Sequence, residues 1–126
     1  MIQPYAADLK HLTKENANFR QVVFTGTHSQ LVLMSIEPGE EIGLETHENV
    51  DQILYVVDGE GTATLDGSEH EFEKGAVLCV PAGMQHNVIN PGDEPLRLFT
   101  IYSPPQHAPG TIEKSKPVES GAVRPA

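Results

Sequence analysis

Between residues 21 and 102 the chain breaks into eight short β-branched and aliphatic runs, at residues 21–25, 30–37, 51–58, 62–65, 69–73, 76–80, 86–90 and 96–102. The punctuation is consistent: Gly26, Pro38-Gly39, Gly59-Glu60-Gly61, Asp66-Gly67, Lys74-Gly75, Pro81-Ala82-Gly83 and Pro91-Gly92. Pro-Gly suits a type II turn, and Asp-Gly between two such runs is a strong hairpin signal. Short strands at regular spacing, with no long helical period, predict an all-β sandwich or barrel. A chain of 126 residues has room for one such core and not two.

The ends read differently. Residues 1–20 form an irregular N-terminal segment, polar and without sustained period, in which a short helical turn over residues 9–15 is the most the pattern offers. Residues 21–102 are the barrel domain. Residues 103–126 form a tail holding five of the ten prolines. Proline lacks the ladder N–H, so most of this tail cannot be a sheet strand. Its first part, residues 102–107, is stiff enough to pack across the barrel, and the last ten residues are expected to be mobile.

The formal charge of −10, from 8 basic and 18 acidic side chains, repels a phosphate backbone or an anionic lipid surface. Neither nucleic acid nor a membrane is expected as a partner. No stretch approaches 18 apolar residues, and the first residues lack a basic region followed by an apolar run and a small-residue cleavage site. A cytoplasmic location is the expectation. Twelve acids and no Lys or Arg lie between residues 37 and 73, which reads mainly as solvated outer strand faces. The single cysteine, Cys79, has no internal disulfide partner and is expected to be a small core residue rather than a reactive thiol.

Two runs are apolar on both faces. Leu31 and Leu33 alternate with Val32, Met34 and Ile36, and Phe99 and Ile101 oppose Leu96 and Leu98. A strand buried on both sides needs a second covering layer. The expectation is a homodimer; the alternative cover is the N-terminal segment or the C-terminal tail.

Two patches carry the chemistry. The second is Gly75, five residues, Pro81-Ala82-Gly83, two residues, His86, three residues and Asn90. It matches at every fixed position the second motif of the cupin superfamily. The first patch runs from Gly39 through Glu45, His47 and Gln52 to Gly59, and resembles the first cupin motif with the glycines fixing the register. It departs at two positions: Glu45 stands where that motif has its first histidine, and Gln52 where it has its glutamate. The resemblance covers roughly residues 39 to 90 and implies a cupin jelly-roll barrel, or double-stranded β-helix. Small single-domain cupins of this kind are similar to proteins labelled mannose-6-phosphate isomerase-like. The Gln-for-Glu exchange resembles the site of small uronate-processing cupins.

The spacing also has its own physical sense. Residues i and i+2 of a strand share a face, so Glu45 and His47 can grip one ion together. Gln52 starts the next strand, and His86 arrives from a distant one. Two imidazoles, a carboxylate and an amide oxygen make a mixed N/O site for one divalent transition metal: Mn, Fe, Co, Ni or Zn. The alternative leaves Glu45 in solvent, with His47, Gln52 and His86 as a three-ligand site. Asp51 is another candidate ligand, but it has the opposite parity to Gln52. His11, His28 and His70 are expected at the surface; the tail could carry His107 over the barrel mouth, but a plain tail histidine is the expectation. Asp51, Tyr55, Arg97 and Tyr102 are candidate acids, bases or substrate clamps that sequence alone does not orient.

Two functions follow. A metal-dependent enzyme of isomerase, lyase or dioxygenase type would act on a small oxygenated substrate such as a sugar or organic acid. A non-catalytic module would bind a small molecule or metal. Retention of His47 and His86 beside a neutral amide favours the enzyme.

Overall fold

Residues 1–117, which the computed structural model describes, form one helix and nine strands. These are α1 (Leu9–Glu15), β1 (Arg20–Thr25), β2 (Gln30–Ile36), β3 (Asp51–Asp58), β4 (Glu60–Leu65), β5 (Ser68–Glu73), β6 (Val77–Val80), β7 (His86–Ile89), β8 (Leu96–Ser103) and β9 (Ile112–Glu113). All eight expected strands form, within one or two residues of the limits read from the runs. The six-stranded sheet runs β6-β3-β8-β2-β1-β9 and the three-stranded sheet β5-β4-β7, with every pairing antiparallel. Two antiparallel sheets face to face are the jelly roll that the motifs implied.

Turn chemistry sets the connections. Asp66 and Gly67 take φ of 52° and 84°, the left-handed pair that a tight hairpin between β4 and β5 demands. Gly59 combines φ of +93° with a Cβ position only 2.7 Å from the Pro95 carbonyl oxygen. A side chain there would be strained in the backbone and would collide with the chain entering β8.

The core lies between the sheets. Val32, Met34, Ile36, Leu54, Val56, Leu96 and Leu98 are almost wholly excluded from solvent, and they alternate along β2, β3 and β8 with residues on the opposite face. Truncating one of these leucines or isoleucines to Ala costs about 2–5 kcal/mol through lost burial and the cavity left behind. Asn90, also fully buried, ties the barrel end together. Its Nδ2 donates to the carbonyls of Ile36 (2.9 Å) and Glu94 (2.8 Å), and its Oδ1 accepts from Gly92 N–H (3.0 Å).

The helical turn expected over residues 9–15 forms as a helix, capped by the Asp8 carboxylate, which accepts from His11 N–H. Most of the described tail stays out of the sheets, as its prolines require, and residues 112–113 pair with β1 as the edge strand. Two expectations are corrected. Cys79 is exposed rather than in the core. Val77 and Cys79 share one strand face, outward, while Leu78 and Val80 point inward. The second, His107, belongs to the site described below. Mobility of the last ten residues concerns a stretch that lies, from residue 118 on, outside the described residues.

The outer face of the larger sheet stays apolar across four strands. Its rows are Leu31, Ile101, Ile53 and Cys79, then Leu33, Phe99, Tyr55 and Val77. The N-terminal helix packs against β8, β3 and β2, anchored where Arg97 donates to the Lys14 carbonyl (2.6 Å). Leu33 is covered, whereas Ile53, Tyr55 and Val77 remain 41%, 39% and 54% exposed. The segment therefore covers part of this face only.

Candidate metal centre

Strand register builds one wall of the site. Gln30 on β2, Tyr102 on β8, Gln52 on β3 and Val80 on β6 form a single row across the larger sheet. All four are buried. A row containing two amides and a phenol at the end of an otherwise apolar core is costly unless its polar atoms find partners. Gln52 Nε2 donates to Thr100 Oγ1 at 3.1 Å, and its Oε1 is buried with no partner.

Residues 39–47 supply the opposite wall by running antiparallel beside β7. Gly39 N–H donates to Asn90 O (2.8 Å) and Ile42 N–H to Val88 O (2.9 Å). Glu45 and His86 then exchange two backbone bonds, of 2.8 and 2.9 Å. Two residues further, the His47 carbonyl accepts from Gly83 N–H in the Pro-Ala-Gly turn (2.8 Å). Motif two thus holds motif one by its backbone, and both patches deliver their side chains to one place.

The donor atoms of Glu45, His47 and His86 all lie within 4.8 Å of one another. Glu45 Oε1 is 3.2 Å from His47 Nε2 and 3.7 Å from His86 Nε2, and the imidazole centroids are 5.5 Å apart. Donors about 2.1 Å from a shared ion lie roughly 3–4 Å apart, so this spacing suits a single metal. His86 Nδ1 is 3.1 Å from the Met84 carbonyl. A carbonyl only accepts, so Nδ1 carries the proton and the Nε2 lone pair is free. His86 Nε2 is buried and without a partner. Unpartnered Nε2 of His86 and Oε1 of Gln52, together with a carboxylate, fit a divalent transition ion of mixed N/O preference.

Other candidates lie elsewhere. The Asp51 side chain accepts from Ala82 N–H (2.9 Å), capping the Pro81 turn away from the ligands. Tyr55 and Arg97 belong to the outer sheet face; Tyr55 stacks on Phe99 at 5.3 Å. His11, His28 and His70 are exposed, as read from the sequence. Tyr102 does face the site: its ring lies edge-on to His47 at 6.0 Å, and burial, reinforced by the Glu45 charge, drives its phenol well above the ordinary tyrosine range.

His107 departs from expectation. It is half-buried, its ring edge-on to Tyr102 at 5.1 Å. Burial first, then the charge of Arg20, pushes its imidazolium down to about 4. The tail is held there by Gln30, whose Oε1 accepts from His107 N–H (2.9 Å) and Gln106 N–H (3.1 Å) and whose Nε2 donates to His107 O (2.7 Å). The stiffness of residues 102–107 suggested packing across the barrel, and the stretch does so, but it did not give the burial of the His107 ring. The sequence signal was Gln30, an amide on the inward parity of an apolar strand. Arg20 was likewise missed: it sits buried on β1, paired with Glu113 of β9.

Comparison with known proteins agrees with the motifs. The Cupin domain family matches residues 32–102. The chain belongs to the cupin family. It is 42% identical over 120 residues to uncharacterized protein YrkC of Bacillus subtilis, covering 90% of this cupin and 64% of YrkC. The crystal structure of BH2720 from Bacillus halodurans is similar at a TM-score of 0.89 and 40% identity, covering 90% of this chain and 91% of that one. A more distant relative is polyketide synthase CurC of Streptomyces cyaneus, 27% identical, with 98% of this cupin and 86% of CurC covered. This cupin spans only about two thirds of YrkC. Among the described residues, no helix is long and apolar enough to cross a membrane.

Proposed function

We propose that this cupin is a metal-dependent enzyme acting on a small oxygenated substrate, of isomerase, lyase or dioxygenase type. The observation that carries the reading is the convergence of Glu45, His47 and the unpartnered, carbonyl-oriented Nε2 of His86 on one point inside the barrel. Gln52 is the fourth ligand in this reading, and its buried, unpartnered Oε1 supports that role.

When bound, the metal supplies a Lewis acid that polarises a carbonyl or hydroxyl oxygen of the substrate. The chain supplies the rest. Glu45 partly neutralises the ion. Met84 fixes the His86 tautomer through its carbonyl. Tyr102, whose phenol burial keeps protonated, offers an O–H donor beside His47. A phosphorylated substrate fits poorly, because no Lys or Arg occurs from residue 21 to residue 73. CurC, named a polyketide synthase, lends support to an oxygenated carbon substrate.

The same reading takes the active species as a homodimer, joined through the outer sheet face on which Ile53, Tyr55 and Val77 stay exposed. An apolar face of this extent on a chain this acidic favours a second copy over solvent.

The test is turnover. Metal-free protein is reloaded with Mn, Fe, Co, Ni or Zn singly and offered hydroxy-carbonyl compounds, sugars and organic acids, with His86→Ala as blank. Metal-dependent turnover lost in the blank supports the enzyme. Metal binding without turnover of any of the three classes overturns it in favour of the binding module.

A further inference from the structure

Beyond the metal cluster, three more buried side-chain nitrogens among the described residues lack a hydrogen-bond partner: Nε of Arg20, Nε of Arg97 and Nε2 of His107. Arg97 lies on the outer sheet face, whereas Arg20 and His107 gather around one side chain, Tyr102. His107 packs edge-on against Tyr102, and Tyr102 packs edge-on against His47, so a continuous line of rings joins the tail to the metal cluster. The Arg20 charge acts on both Tyr102 and His107.

Neither residue is there loosely. Three hydrogen bonds shared with the fully buried Gln30, one donated by its Nε2 and two accepted by its Oε1, fix the backbone at residues 106–107. Glu113, on the edge strand β9, takes one terminal nitrogen of Arg20 and leaves Nε free. An Arg Nε–H can only donate, and a buried donor without an acceptor is strongly disfavoured. The low proton affinity of His107 keeps it neutral at pH 7, so it too carries one N–H.

We propose that Arg20 and His107 form the second half of the binding site, and that the molecule bound there is a small organic acid. Its chelating end meets Glu45, His47 and His86, and its far carboxylate accepts from Arg20 Nε–H and from His107 in the tautomer that carries its proton on Nε2. A carboxylate accepts from both nitrogens at once, whereas a hydroxyl offers less acceptor capacity and must place a proton of its own. Such hydrogen bonds to a charged group are the strong kind. His107 is thereby a specificity-determining residue, and the tail that carries it is part of the site. The inference rests on the metal reading above.

The probes are glycolate and malate, which share an α-hydroxy acid end and differ by one far carboxylate. The full chain is loaded with Co(II), and each probe is titrated by the visible absorption of the ion. Wild type is expected to bind malate at least about tenfold tighter than glycolate. His107→Phe is expected to lose most of that preference with Co(II) and glycolate affinities unchanged, and His107→Gln, which keeps an N–H donor, to recover part of it. No preference in wild type, or full preference in both variants, overturns the proposal while leaving the metal site intact. A loss of Co(II) affinity equal to the loss of malate affinity also overturns it, by making His107 a ligand. Wild type that takes up no Co(II) overturns the metal reading, and this one with it.

Discussion

Glu45 and His86 sit directly opposite each other across an isolated antiparallel bridge, exchanging two backbone hydrogen bonds of 2.8 and 2.9 Å while Glu45 Oε1 reaches to 3.7 Å from His86 Nε2. Opposed residues of an antiparallel pair present their side chains on the same face. The carboxylate is therefore placed by the backbone of its imidazole partner, and replacing histidine by glutamate at residue 45 keeps a donor at the site.

Glu45→Gln keeps the shape of the side chain and removes its charge. Metal affinity, measured by competition with a chromophoric chelator, is expected to fall by at least about tenfold. An unchanged affinity removes Glu45 from the site and leaves a three-ligand centre.

Gln52→Leu separates stability from function. Its buried Oε1 has no partner in the protein, while its Nε2 donates to Thr100 Oγ1, so an apolar replacement removes one unpaired atom and one hydrogen bond, and metal-free stability is expected to change by no more than about 1 kcal/mol, read by urea unfolding. Metal affinity is expected to fall in the same variant. A destabilised metal-free protein with full metal affinity contradicts the assignment.

His107 makes stability depend on pH. Its folded value of about 4 lies below the ordinary 6.5, so between these values the unfolded chain binds more protons. Stability is then full above about pH 6.5 and is lost as pH falls toward 4. Because the group is only half-buried, solvent screening limits the effect to about 1 kcal/mol. Urea unfolding of metal-free wild type and His107→Gln at pH 7 and pH 4.5 should show the smaller loss in the variant. Equal losses contradict the burial argument.

Ile53→Glu and Val77→Glu place charges on the exposed outer sheet face. Wild type is expected to sediment as a dimer and both variants as monomers with unchanged strand content by circular dichroism. A monomeric wild type, or variants that stay dimeric, removes the homodimer.

The strands were legible because their signal is local. Gly59, Asp66-Gly67 and Pro81-Ala82-Gly83 mark turns by backbone geometry, and alternation marks the faces between them. His47 and His86 were legible from fixed spacing to those turns. The rest depends on distant contacts. Residues 39–47 carry too many acids to read as a strand, yet pair with β7 through backbone groups that any sequence offers. Cys79 was misplaced because a lone thiol within an apolar run was read as a core residue, when the parity of Leu78 and Val80 already assigned the inward positions. His107 lies 77 residues from Gln30, whose side chain positions it, and no local pattern spans that distance.

The central claim is a metal at Glu45, His47 and His86, and elemental analysis of protein purified without added metal tests it most directly. The expected result is about one transition-metal ion per wild-type chain, and near-complete loss in folded His47→Ala and His86→Ala. Wild-type protein carrying only a trace of metal, or histidine variants that retain the full amount, would contradict it.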